Sequence, residues 1–289
     1  MEIIDPHLHL FNLTLGKYAW LRAECSKDAA GKAPICRDFS ERDLLLHKDL
    51  KLAGYVHIEA GFDNEASWRE VDWLESHAKL PLRSVGHLNL NQPPFEFSAG
   101  LDQLAQRTSV VGIRHIFESP FENLVTHPNT LENLELLAAR EMHFELQVET
   151  LSEENTAQIK ALIRSYPKLL FVLNHAGFAP IAPNHKRYHE GLAGLRALST
   201  CSNLCVKASG FEMADRQFSL KHAASHVARL CDYFDVQRVM LASNFPLVRL
   251  RMSYHQYWSE ISEALEREKL PVNVLVHENA KRLYRFADQ

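Results

Sequence analysis

The chain has little of what several protein classes need. It holds five cysteines in 289 residues, Cys25, Cys36, Cys201, Cys205 and Cys231, with no CxxC pair among them. An odd, scattered set argues against a disulfide framework and suits a reducing compartment, with Cys201 and Cys205 expected simply to pack. Lysine and arginine number 32 against 36 acidic residues, for a net charge of −4, and no basic block or stripe interrupts the sequence. That excludes nucleic-acid binding as a main task. No apolar run is long enough to cross a bilayer. The first such run is broken by Glu2 and Asp5, so no secretory leader is expected and the cytoplasm is the default compartment. No glycine-rich fingerprint follows the first strand-like segment, which weighs against an open, doubly wound dinucleotide-binding sheet.

What remains is ordinary globular composition, 46% hydrophobic and 24% charged. Eight short segments rich in Val, Ile and Leu recur along the chain: EIIDPHLHL, AGYVHIEA, PLRSVGHLNL, SVVGIRHIF, HFELQVE, LLFVLNHAG, NLCVKASG and QRVMLASN. Near-continuous apolar runs mark strands buried on both faces. Amphipathic stretches near 127–141, 151–167, 216–233 and 254–268 lie between them. A further helix is expected over 40–53, opened by a capping-box variant of Ser40 and Asp43. Alternating strand and helix predicts a parallel sheet, and eight repeats predict a closed (β/α)8 TIM barrel spanning residues 1–289 as one domain. Residues 11–39 are read as a long loop after the first strand, anchored by Tyr18, Trp20 and Leu21. In a barrel this loop would border the face where active sites are built.

The polar residues of these segments are the chemical signal. His7 and His9 are two apart in the first, a spacing that places both imidazoles on one side of a strand. His57 and Glu59, His87 and Asn89, Arg114 and His115, Glu145 and Gln147, His175, Lys207 and Ser209, and Asn244 follow at the ends of the other seven. Such groups are costly to bury without partners. A ring of them predicts convergence on one mouth.

At these positions the chain resembles the amidohydrolase superfamily, in its amidohydrolase-related, lactonase-like branch. IDPHLHLF is similar to the family's D-x-H-x-H, YAWL to its first-loop Trp-Leu element and VVGIRH to its G-[IV]-R. FVLNHAG resembles its D-H-x-G, VKASG its K-x-S-G, and ENAKRLYRF its closing N-A-x-R-x-Y. The resemblance implies a (β/α)8 hydrolase that opens sugar-acid or aromatic-pathway lactones, with decarboxylases as a minority chemistry. It implies His7, His9 and His175 as the functional histidines, able to hold one divalent ion such as zinc or to polarise a carbonyl without metal. Arg114, His115, Lys207, His57 and Trp20 are the substrate-contact candidates, with a structural ion pair as the alternative for Arg114 and for Lys207. His185 and His189 have a metal-binding spacing but are read as a solvated loop. Glu118 and Glu122 would shape substrate choice above the fourth strand.

One position departs from the family. ASNFP places Asn244 where the family has aspartate. An amide can accept a hydrogen bond but cannot take a proton from water. Three readings follow: another group such as Glu145, Glu59 or His115 serves as base; a reactive lactone needs only carbonyl polarisation; or the barrel binds a sugar acid without turning it over. A small-molecule substrate is expected in each, and the oligomeric state is open, a homodimer included.

Overall fold

The computed structural model describes the chain except residues 27–32, 48, 117–124 and 288–289, and except the side chains of 23–26 and 33. Glu118 and Glu122 lie outside the described residues. Eight strands pair in sequence order: β1 Glu2–Leu8, β2 Lys51–Ile58, β3 Leu82–His87, β4 Val110–Ile116, β5 His143–Gln147, β6 Phe171–Leu173, β7 Leu204–Ala208 and β8 Val239–Leu241. All seven consecutive pairings are parallel. Seven strands fall within the segments expected from sequence, and β2 begins two residues before its segment, at Lys51.

The eighth segment returns to the first just past β8. Asn244 N donates to the His7 carbonyl at 3.0 Å and His9 N to that of Phe245 at 2.7 Å. Leu8 and Phe245 form a parallel bridge. Asp5 locks this seam from within, accepting from Ser243 N at 3.1 Å, from Ser243 Oγ, and from Tyr254 Oη at 3.1 Å. The result is a (β/α)8 barrel.

Alternation sorts the strand residues into two apolar layers. Ile4, Val56, Ile58, Val85, Val172, Cys205 and Met240 form one cluster with Ala280 and Tyr284 from the closing helical turn. The larger cluster joins the other strand faces to the surrounding helices and includes Tyr254, Tyr257 and Trp258, all buried. The helices Pro128–Ala139, Glu153–Ser165, Leu220–Phe234 and Tyr254–Arg267 match the expected amphipathic stretches.

The helix expected over 40–53 does not form. Ser40 and Asp43 do make a capping box, but on a single 3-10 turn, Glu41–Asp43. Strand pairing claims the remainder: Lys51 N donates to the Met1 carbonyl and Lys51 pairs with Glu2, starting β2 where the helix should have continued. A barrel strand with two neighbours outweighs the weak helix preference of one polar-apolar stretch. The cysteines divide as well. Cys201, Cys205 and Cys231 are free thiols, whereas Cys36 is disulfide-bonded, contrary to the reading of the set as thiols. Among the described residues no helix is long and apolar enough to cross a membrane. His185 and His189 are both exposed.

Candidate active site

Beyond the carboxyl ends of the strands lies a cavity of about 940 Å³, at the large end of small-molecule sites. His9, Glu59, His87, Arg114, His115, Gln147, His175 and Asn244 reach it from the strand ends, and Trp20 covers it from the first long loop. Tyr18 and Leu21 are buried anchors of that loop, as expected. Trp20 is not an anchor in the same sense. It is 39% exposed and hangs over the cavity by an indole N–H donated to the Ala60 carbonyl at 2.8 Å. The loop also carries the helix Ala19–Ser26.

Three of the expected histidines come together. The His7 ring centroid is 5.1 Å from that of His9 and 4.6 Å from that of His175. They are not equivalent. His9 and His175 line the cavity, while His7 is fully buried beneath them, so the pair two apart in sequence does not open jointly onto the mouth. β1 ends at Leu8, and its register shifts between Asp5 and Leu8. His175 lies past β6, in a turn where it, Ala176 and Gly177 all adopt the left-handed conformation, with φ of 52°, 48° and 61°. Asn244 shares this conformation at φ 55°. Non-glycine residues held there are strained, and such strain collects at functional sites.

The partners of each ring fix its protons. His9 Nδ1 is 2.7 Å from the Ile58 carbonyl, which only accepts, so Nδ1 carries the hydrogen and Nε2 keeps a lone pair. His7 Nδ1 lies 3.4 Å from Lys207 Nζ. An ammonium only donates, so the neutral His7 ring carries its hydrogen on Nε2, an atom buried with no partner. His175 Nδ1 meets Ser209 Oγ at 2.9 Å. Burial is the first cause holding all three rings neutral, reinforced by nearby cations: His7 and His175 titrate well below the usual range and His9 at about 3.

These residues do not fit a metal ion as they stand. A metal on His7 Nε2 would require the hydrogen on Nδ1, facing an ammonium. Among the described residues no group of three His, Cys, Asp or Glu is arranged to hold a metal. Glu145 and Glu59 beside the cluster are already committed to cations, Lys207 and Arg114. Glu145 is wholly buried and accepts from Lys207 Nζ at 2.8 Å on both oxygens, from Tyr284 Oη at 2.6 Å and from Asn174 Nδ2. Burial would raise its carboxyl, but Lys207 and His143 outweigh that and hold it at about 2. Lys207 is pulled down to about 8 by burial, opposed by Glu145.

That geometry corrects three expectations. Glu145 is no candidate base, since its oxygens are saturated and it does not reach the cavity. Lys207 is equally sealed, with its side chain inaccessible. His57 faces the wrong way: Val56 and Ile58 belong to one layer, so His57 between them points to the other. There its Nε2 is 3.1 Å from Glu70 Oε1 while its Nδ1 accepts from Leu10 N. Arg114 does border the cavity, but its charge is paired with Glu59, and three of its five N–H groups go to Glu59 Oε1 and the Glu59 carbonyl, both at 2.7 Å, and to Gln147 Oε1 at 2.8 Å. Burial would raise the Glu59 carboxyl, yet Arg114 keeps it below the ordinary range. His115 lines the cavity beside His87, ring to ring at 6.0 Å, and is held at about 4 by burial first and then by His87.

One carboxylate was not legible as a site residue. Glu212 sits on the short helix Phe211–Ala214, after the Lys-x-Ser-Gly element and past any strand end. It is 2% exposed and accepts from Asn244 Nδ2 at 2.6 Å. Burial pushes it up to about 7, opposed by its own backbone amide and by Asn244.

A (β/α)8 barrel whose carboxyl-end mouth is lined by neutral imidazoles has the architecture of a barrel enzyme. The particular family is identifiable: the amidohydrolase family profile matches residues 4–286, and the chain belongs to that family. An uncharacterized protein, y4mH, of Sinorhizobium fredii is 27% identical over 99% of both chains. An L-fucono-1,5-lactonase of Burkholderia ambifaria is 25% identical over 88% of this chain and 83% of its own. An amidohydrolase of Burkholderia multivorans, crystallised with bound zinc, shares the fold with a TM-score of 0.82 at 21% identity, covering 99% of this chain and all of its own. These likenesses support an enzyme of the lactonase-like hydrolase kind.

Proposed function

We propose that the protein hydrolyses the ring ester of a neutral sugar-acid lactone. The observation that carries this reading is the cluster of three neutral imidazoles, two of them lining a cavity whose cations are all paired. Arg114 is paired with Glu59 and donates to Gln147, and Lys17 is paired with Asp63 at 2.7 Å and Glu65 at 2.9 Å. A dicarboxylate would find no free charge among the described lining residues. A polyhydroxy ring would find hydrogen-bonding neutral groups and the face of Trp20. The lactonase name of a relative points the same way.

The chemistry follows from the tautomers. The oxygen of water attacks the lactone carbonyl carbon, and the carbonyl oxygen takes up the electron pair. An N–H donor that faces the cavity, such as that of His175 Nε2 when Nδ1 accepts from Ser209 Oγ, stabilises this charge better than the ground state, in a site that excludes bulk water. His9 Nε2, with its free lone pair, accepts the proton from water. Its low basicity in the resting protein comes from burial first and from Arg114, and rises as negative charge develops beside it. The carbon–ring oxygen bond then breaks, and that oxygen takes the proton from His9 to leave as a hydroxyl. In relatives that bind zinc the ion would supply Lewis-acid polarisation of the same carbonyl; the arrangement here assigns that task to N–H donors.

The test is acid release from a panel of 1,5- and 1,4-sugar lactones beside a pyrone dicarboxylate, followed by a pH indicator. Turnover confined to the neutral sugar lactones is expected. Preference for the dicarboxylate, or release from none of the panel, would overturn the assignment.

A further inference from the structure

The eighth-strand aspartate of the family does two things in one side chain: it accepts a hydrogen bond and carries a charge. Here the two are divided between Asn244, which lines the cavity, and Glu212, which stands behind it. Asn244 has little freedom of its own. Its backbone N–H donates to the His7 carbonyl, its carbonyl accepts from Leu247 N, and its φ is 55°. What the backbone leaves open is which end of the amide faces out, since an asparagine presents a donor at one end and an acceptor at the other.

We propose that Glu212 is a positioning residue that fixes this choice: by accepting from Asn244 Nδ2 it holds the amide with Oδ1 toward the cavity, where Oδ1 accepts a hydrogen from the attacking water. Once ionised, above about pH 7, the Glu212 carboxylate has no hydrogen to give, so the NH2 end turns to it. The contact is short, at 2.6 Å, and buried. The same turn that brings Glu212 into place also seats His175. Gly210 has φ 68°, and a Cβ there would lie 2.5 Å from His175 Nδ1, so the strand can pass this close only with glycine. Tyr257, from the helix Tyr254–Arg267, feels the Glu212 charge but donates its hydroxyl to the Ala242 carbonyl, and among the described residues no cation is paired with Glu212.

This inference rests on the hydrolytic reading for its kinetic consequence, but not for the amide orientation. Glu212→Leu is expected to lower kcat at least tenfold while KM stays within about twofold, because Oδ1 acts on water and not on bound substrate. Glu212→Gln, whose Oε1 can still accept, is expected to recover most of that loss. Asn244→Asp alone sets two carboxylates against each other and is expected to fall in kcat. Asn244→Asp with Glu212→Gln restores one carboxylate and one amide and is expected to recover at least fivefold over Asn244→Asp, a non-additive cycle. The orientation is read without turnover by NMR. The Asn244 side-chain amide, assigned by its absence in Asn244→Ser, is expected downfield and exchange-protected in the native protein and shifted upfield in Glu212→Leu. Equal kcat in Glu212→Leu, an additive cycle, or an amide signal insensitive to Glu212 would overturn the proposal. Loss of lactone hydrolysis in the native protein itself would sink the functional reading instead, and the NMR result would still decide the amide orientation. Should Glu212→Leu fail to fold, Glu212→Gln and the cycle carry the test.

Discussion

Two polar clusters sit within a few ångströms of each other in this barrel, and they are built to opposite rules. The inner one, Glu145, Lys207, Tyr284, Asn174 and His143, is sealed: the carboxylate accepts from three different side chains and its ammonium partner has no exposed surface. The outer one, His9, His175 and Asn244 at the cavity with His7 beneath, is left incomplete. Two of its members are backbone-strained and one has a buried N–H without a partner. Both clusters keep buried polar atoms without a partner, His143 Nε2 and Asn174 Oδ1 in the inner one and His7 Nε2 in the outer one; what marks the site is that His9, His175 and Asn244 open onto the cavity while Glu145 and Lys207 are sealed from it.

The sharpest way to break the inner cluster is Lys207→Met. It strands the Glu145 charge in the interior and is expected to cost about 3–5 kcal/mol, read as a lower denaturant midpoint with an unchanged slope. A cost below about 1 kcal/mol would mean the pair is not sealed as described.

Buried neutral histidines, in the outer cluster and elsewhere, make stability depend on pH. His7, His9, His57, His87, His115, His175 and His226 all titrate below their ordinary range, with burial as the first cause. Below about pH 6.5 the unfolded chain takes up protons that the folded chain refuses, so these seven lower stability as pH falls. Asp5 and Glu212, raised to about 6 and about 7, and Glu70, also raised, work the other way. Their contribution is present at low pH and is lost as pH rises through those values. The lowered imidazoles outnumber the raised carboxyls, so below about pH 6.5 the unfolded chain takes up more protons than the folded one. Stability is therefore expected to fall with pH there, by ~1.4 kcal/mol per pH unit for each net proton. Melting at constant ionic strength checks this, and a flat profile from pH 7 to 5 would contradict the neutral-histidine account.

The smallest effect belongs to the rim. Arg69 is 56% exposed at the side chain and pairs with Asp63 at 2.7 Å. Arg69→Ala is expected to cost under about 1 kcal/mol, which sets the scale against which Lys207→Met is judged.

The barrel was legible in the sequence because eight buried strands write eight apolar runs. The convergence of His7, His9 and His175 was legible through motif order. Sorting the polar residues was not. Glu145 and Asn244 both stand near strand ends, and nothing in their spacing says that Lys207 and Tyr284 saturate the first while the second faces a cavity. His57 was misplaced because it was read as a strand-end residue, although its apolar neighbours Val56 and Ile58 already assign it to the helix side. Glu212 left no periodic signal, since a left-handed glycine, not a strand, delivers it. The 40–53 segment shows the converse: Ser40 and Asp43 formed their local cap, and pairing with β1 overrode the rest.

The contrast between the two clusters is tested most directly by His175→Ala, with initial rates of sugar-lactone hydrolysis and thermal melting measured on one preparation. The account predicts at least a hundredfold loss of kcat/KM, about 2.7 kcal/mol of transition-state stabilisation, with a melting temperature within a few degrees of the native protein. Retained turnover would contradict the placement of the site, and collapse of the fold would place His175 with the scaffold.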